Sequence, residues 1–521
     1  MPRTRPLALA CLLPAIVLAA CGGGGSSAGG ADPASAVPAG TSIYLQGVVR
    51  PQGDQRDDVL DAARKVLRTD DPERKLHELI DKGLADSGDA KVSYDKDFAP
   101  WLGEKAGVWV AGADRAKPGY VVIVAAKDTE KAQAAIDKGV KSEGGKVKER
   151  SYSGVDYQVD SDGVAAGIVG DFFTVGTEPE FKRTIKAQDG ASLAEEKRYS
   201  STMAALDKNR IGQFYIDLKP FLEQSLKSDP KAAAQLEQIR SIVPIDQLEP
   251  VGGALVANGD RIAFDTLTRG KGINAIKAFL PLTGTGSTPL LGELPGDAWA
   301  ALGAADVGPS IKSIFTRVAG AFGGAAATQQ LQQRYGIDLE RDVFSWIGDI
   351  ALYARGTTRA DIDGALVIEA TNPQNMHNAF GKLVGLIQTQ GGQKVKPIKV
   401  KGAAIAFASR NTDLGKPAVL ARSDDRVVVA LGSAAAAEAL APADKLADSE
   451  LFKHGKEILG GDQEPAFLLS MPDLLTAIES MSKPDAGYAK AKPYLQAFSV
   501  IVSGGSSKQD EVRSRVAAGL K

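Results

Sequence analysis

The chain is written in short apolar stretches separated by turn signals. Ser153 to Asp160 (SGVDYQVD) alternates apolar and polar positions, Asp162-Gly163 supplies a turn, and the apolar run VAAGIVG follows. Phe172-Phe173-Thr174-Val175 comes next, after Gly170-Asp171, and Asn258-Gly259-Asp260 marks a further hairpin. Period-two alternation punctuated by D-G and N-G predicts antiparallel strands. A 3.6-residue period predicts helices over 128–140, 178–187, 200–208 and 219–242, the last broken near Asp229-Pro230. Hairpins outnumber βαβ crossovers. The expected class is therefore α+β, a largely antiparallel twisted sheet with helices packed on one face.

The same pattern occurs twice. DFAPWLGEKAGVWVA from Asp97 pairs with DVFSWIGDIALYA from Asp342, each with a Trp two residues before a Gly: Trp101 and Gly103, then Trp346 and Gly348. YVVIVAAKDTEKAQAAIDKGVK from Tyr120 pairs with GALVIEATNPQNMHNAFGKLVG from Gly364. Leu193-Ala194, Tyr199 and Phe214 return as Leu446-Ala447, Phe452 and Phe467. Residues 37–270 and 294–521 are expected to be two tandem copies of one α+β unit, joined by a Gly/Thr/Ser-rich segment over 271–293.

The N-terminus carries a different signal. Arg3 and Arg5 precede an apolar run from Leu7 to Ala20. That run is shorter than the ~20 residues needed to cross a bilayer, which favours a cleaved export signal over 1–20. Leu18-Ala19-Ala20-Cys21 is similar to the lipobox of bacterial lipoproteins. The resemblance implies lipidation of Cys21 by diacylglycerol, cleavage just before it, and a further palmitate-like acyl chain on the new amine. Residues 21–36 read as a Gly/Ser-rich tether with a reach of about 20 Å. The expected location is the extracytoplasmic side of a cell membrane in the envelope, held by lipid.

Composition narrows the choice. Lys and Arg number 62 against 64 Asp and Glu in 521 residues, for a net charge of −2, so the broad basic footprint of a nucleic-acid binder is missing. Loss of 1–20, which hold two arginines and no acid, leaves 60 basic and 64 acidic residues, net −4. Both cysteines, Cys11 and Cys21, lie in the first 21 residues, so the body has no thiol for a disulfide or a nucleophile.

A lipobox, a Gly/Ser tether and tandem units with Trp-x-Gly before a strand together resemble a bacterial lipoprotein family known as domain of unknown function 3352. The likeness spans most of the processed chain. It implies no activity, cofactor or site residue.

Candidate chemistry is sparse. His77, His377 and His454 are scattered and read as polar positions on amphipathic helices. Gly25-Ser26-Ser27-Ala28-Gly29 matches G-x-S-x-G, but lacks the flanking strand and helix of a nucleophile elbow. Ser93–Lys96 and Ser480–Lys483 match S-x-x-K without its companion motifs. Asp361, Asp363 and Glu369 faintly resemble a calcium loop, although D-G before a strand is the ordinary mark of a hairpin. Trp101 and Trp346 are expected to pack in the core rather than form sugar platforms. Lys394, Lys396, Lys399 and Lys401 around Pro397 read as a protected edge strand rather than a contact for anionic lipid or wall polymer.

No catalytic residue, cofactor or metal site is therefore expected, and no nucleic-acid partner. The expected function is a membrane-anchored, non-enzymatic binding or scaffold lipoprotein. The alternatives are a carrier of lipid or another hydrophobic ligand, favoured by a deep apolar cavity, and an envelope hydrolase, favoured by convergent carboxylates.

Overall fold

The computed structural model describes residues 30–521 apart from 87–91, 112–118, 143–146, 221–246, 272, 274–286, 323–328, 330–331, 334, 390–394, 462, 482–483 and 509. Cys21, the segment 1–20, Gly25 to Gly29 and most of 219–242 and 271–293 lie outside the described residues. The described chain divides into two compact units, with the break between Arg269 and Gly270.

The first unit runs β1 (Ile43–Val48), α1 (Gly53–Leu67), α2 (Pro72–Asp86), β2 (Leu102–Ala111), β3 (Gly119–Ala126), α3 (Thr129–Ser142), β4 (Lys148–Tyr152), β5 (Val155–Val159), β6 (Val164–Val169) and β7 (Phe172–Thr177). It continues with α4 (Glu178–Gln188), α5 (Lys197–Ala204), β8 (Gly212–Ile216), β9 (Val251–Ala257) and β10 (Arg261–Arg269). Every pairing is antiparallel, in the order β10-β9-β8-β1-β2-β3-β7-β6-β5-β4. Local chemistry sets the hairpins. Ser153 and Gly154 both take positive φ (49° and 80°), as a two-residue turn between twisted strands requires. At the next hairpin the Asp160 carboxylate accepts the N–H groups of Asp162 and Val164 at 2.9 and 2.8 Å.

Helices cover both faces of this sheet, not one. Leu76 and Ile80 of α2 and Ala132 and Ile136 of α3 pack with Val122, Val124, Phe173 and Val175. On the opposite face Tyr199 and Met203 of α5 pack with Tyr44, Trp109, Val121 and Ile123. The cause is β3 itself. Val121 to Ala126 are buried without a break, the pattern of a strand covered twice rather than the alternation of a half-exposed one.

Two boundaries differ from the sequence reading. Pro33–Ala36, placed in the tether, is a 3-10 turn whose Ala34 and Ala36 are fully buried beside Val37. Asp32 caps it by accepting the Ala34 N–H at 3.2 Å, and two small side chains give it something to pack. The helix predicted over 200–208 is Lys197–Ala204, because its last turn gives way to a turn in which Asp207 accepts the Asn209 N–H.

The second unit runs β11 (Ala300–Ala304), α6 (Val307–Phe322), β12 (Ile347–Arg355), β13 (Asp363–Ala370), α7 (Pro373–Thr389), β14 (Lys396–Pro397), β15 (Ile405–Asn411), β16 (Pro417–Arg422) and β17 (Arg426–Leu431). It ends with α8 (Ser433–Leu440), α9 (Glu450–Leu459), β18 (Glu464–Ser470), α10 (Met471–Met481), α11 (Ala486–Leu495), β19 (Phe498–Lys508) and β20 (Glu511–Leu520). Its antiparallel order is β20-β19-β18-β11-β12-β13-β17-β16-β15-β14. Position for position, that is the strand order of the first unit.

Candidate functional site

Among the described residues the helices of the first unit stop short of part of one face. Cross-strand register aligns Val122, Val108, Leu45, Phe214, Gly253 and Thr266 in one row from β3 to β10. The adjacent row brings Leu255 opposite Phe264. Val122 is covered by helices, but Leu45 is 47% exposed and Phe264 42% exposed. Phe214 stacks on Phe264 with ring centroids 5.7 Å apart. These residues, with Tyr120, line an open, mostly apolar cavity of about 480 Å³. Large apolar side chains on an uncovered sheet face are the feature that calls for a ligand or a partner.

The second unit repeats the row with Leu366, Leu352, Leu302, Phe467, Ser503 and Val516. Leu352 and Val516 are each 48% exposed. A separate apolar cavity of about 410 Å³ lies between α7 and the β15–β17 strands, lined by Leu383, Val384, Ile387, Phe407, Leu420 and Val429.

The residues singled out for chemistry do not converge. Asp363 is held by the Arg355 guanidinium, Nε to Oδ1 at 2.6 Å, Asp361 accepts from Thr358, and Glu369 faces Arg426 at 3.5 Å. Each of these carboxylates is thus engaged by a partner of its own. Among the described residues no group of three or more His, Cys, Asp or Glu is placed to hold a metal. Ser93 Oγ donates to Asp81 Oδ2, and Ser480 Oγ donates to backbone carbonyls, one of them that of Ala477 at 3.0 Å. Lys396 lies on the short outermost strand β14, Lys399 and Lys401 are exposed beyond it, and Lys394 is outside the described residues.

Trp101 and Trp346 are core residues. Each donates its indole N–H four residues back, to the carbonyls of Asp97 at 2.7 Å and Asp342 at 2.8 Å. Trp101 also stacks on Phe173 at 4.9 Å.

All three histidines lie on helices, and two have side-chain partners that the sequence did not reveal: His77 Nδ1 is 3.1 Å from Asp95 Oδ1. His454 Nε2 is 2.9 Å from Ser499 Oγ, and Glu457 is 3.8 Å from Nδ1. The order Ser, His, Glu is that of nucleophile, base and orienting acid. The Glu457 side chain is 78% exposed and beyond hydrogen-bond distance, so it does not orient the ring. The pair is a surface hydrogen bond.

The family model described as a protein of unknown function, DUF3352, matches residues 68–513. The chain belongs to the DUF3352 family. No curated protein matches this DUF3352 chain. Solved structures of TP0453 align at low similarity: crystal form III at 12% identity and TM-score 0.23, covering 46% of this chain and 80% of that one. Crystal form I gives 12% identity and TM-score 0.24, covering 79% of its own chain. Those scores are too low to superimpose the two folds as wholes. Among the described residues no helix is long and apolar enough to cross a membrane.

Proposed function

We propose that this DUF3352 protein is a membrane-anchored envelope lipoprotein that binds an acyl chain of a lipid on the uncovered sheet face of its first unit, without catalysing a reaction. The observation that carries this reading is the strip formed by Leu45, Val108, Phe214, Leu255 and Phe264 over the cavity of about 480 Å³. Five strands at ~4.8 Å spacing make the strip about 19 Å across, an elongated apolar surface rather than a spot. Among the described residues its lining has no ionised group, which suits a hydrocarbon chain and gives a hydrolytic reaction no acid or base.

The anchor supplies the setting. A lipid on Cys21 would stand nine residues before Gly30, where the described chain begins, and a Gly-rich coil of that length reaches about 15–18 Å. Acyl chains are the hydrophobic species present at that distance. The shared strand order, the aligned apolar rows and the paired tryptophans support duplication of one unit, with copies over 37–270 and 294–521.

Fluorescence titration with an acyl-chain probe tests the reading. Wild-type protein should bind, and Leu45→Lys should weaken binding by about ten-fold or more, since a cation would be buried under hydrocarbon. Leu45 is already half exposed, so the fold should persist. Equal binding by Leu45→Lys would remove the groove from the account.

A further inference from the structure

Adjacent residues on a strand face opposite ways, and behind the apolar strip the same two strands present a polar set. Leu45 is followed by Gln46, and Phe214 is preceded by Gln213. On that side Gln46, Gln213, Tyr199, Lys105, Lys208 and Arg210 line a cavity of about 360 Å³. We propose that this cavity is a binding site for a phosphate-class anion.

The charges there are not balanced. Among the described residues neither Lys105 nor Lys208 has a carboxylate within ion-pair distance. Arg210 spends Nε on Gln213 and Nη1 on the Asp207 carbonyl, which leaves Nη2 with no acceptor among the described residues. Asp32 is the one carboxylate in the lining, and it also caps the Ala34 N–H. Part-buried Lys105 and Arg210 and the exposed Lys208 thus line the cavity against one carboxylate, and a bound anion would accept charge-assisted hydrogen bonds from them.

The Tyr199 hydroxyl gives a second, independent sign. Tyr199 is 5% exposed, and its oxygen accepts from Gln213 Nε2 at 2.8 Å. The hydroxyl proton has no acceptor among the described residues, although it lines the cavity and buried hydroxyls ordinarily donate. Burial holds its pKa far above the usual value, so the proton is present for donation at any physiological pH.

The second unit shows that the fold does not require these groups. Tyr199 corresponds to Phe452, Gln46 to Gly303 and Gln213 to Ala466. One scaffold carries the polar set and the other omits it. A purely structural role would call for it in both.

Calorimetric titration of the full-length protein in neutral detergent, with inorganic phosphate and with dodecyl phosphate, tests the site. Wild type should bind, and Lys105→Gln/Arg210→Gln should weaken binding by about ten-fold or more, the size expected for lost charge-assisted hydrogen bonds. Tyr199→Phe, which copies the residue of the second unit, should keep the fold and weaken binding several-fold. Lys399→Gln, an exposed lysine elsewhere, should leave it unchanged. Equal affinity for the two probes assigns a free anion, and binding of dodecyl phosphate alone assigns a lipid headgroup; either supports the site. Binding of neither probe, or undiminished binding by Lys105→Gln/Arg210→Gln, overturns it. The result is separate from that of Leu45→Lys, which alters only the opposite face.

Discussion

The ring of Phe214 lies over the α-carbon of Gly253, in the space a β-carbon there would occupy, and from that position it stacks on Phe264. The missing side chain at Gly253 thus sets the floor of the apolar strip. In the second unit Ser503 stands at the equivalent place beside Phe467, so the strand itself accepts a β-carbon. Gly253→Ser should therefore fold and should displace the Phe214 ring. Acyl-probe affinity should fall several-fold while the melting temperature moves by only about 2–4 °C, as for a cost near 1 kcal/mol. Unchanged affinity would show that the stacked ring is not part of the binding surface.

A second relationship bears on pH. Burial pushes the Asp342 carboxyl up, but hydrogen bonds from Arg341, Lys382 and the Asp338 N–H outweigh it and hold the group down at about 2. A depressed carboxylate contributes stability that is complete above its unfolded value of ~4 and is lost as pH falls toward 2. Asp342→Asn should cost about 2 kcal/mol at pH 7 and flatten the acid limb of stability between pH ~4 and ~2. Urea titrations across that range would read both effects. In the first unit Asp97 accepts from Lys138 in the same way, and its carboxyl is also held below the ordinary range.

The paired tryptophans give a stability prediction. Trp101→Phe leaves the Asp97 carbonyl without its indole donor and shrinks a side chain stacked on Phe173. The expected loss is about 2 kcal/mol, the sum of a hydrogen bond and missing buried volume. Trp346→Phe removes the same kind of donor from Asp342 and should cost a similar amount. Denaturant midpoints measure both, and no change in either would contradict the packing role.

The anchor has its own test. Cys21→Ser should move the protein from the membrane fraction to the soluble fraction after cell lysis. Retention on membranes by that variant would mean the attachment does not depend on lipid at Cys21.

Much of the architecture was legible in the residues. Asp162-Gly163 marks its hairpin because positive φ and a short polar side chain act locally, whereas the turn at Ser153-Gly154 reads in the sequence as the start of a strand. Burial of β3 on both faces was also written in YVVIVAA, an unbroken apolar run where a half-exposed strand would alternate. The sheet order was not legible. Pairing of β3 with β7 is a long-range contact, and the β4–β6 excursion between them could as well have extended the other edge. The sites depend on that register. Leu45, Phe214 and Phe264 are far apart in sequence and become one strip only when β1, β8, β9 and β10 are side by side. Tyr199 and Phe452 align in the repeat, so the difference between the units was visible, but its company of Lys105 and Arg210 was not.

The first unit is proposed to hold a hydrocarbon chain on its uncovered sheet face. Native mass spectrometry of the protein extracted from its own membranes in mild detergent measures this most directly. Wild-type protein should carry a bound lipid mass beyond the covalent lipid proposed on Cys21, and Leu45→Lys should lose it. A wild-type spectrum with no bound lipid, or the same adduct on both proteins, would contradict the account.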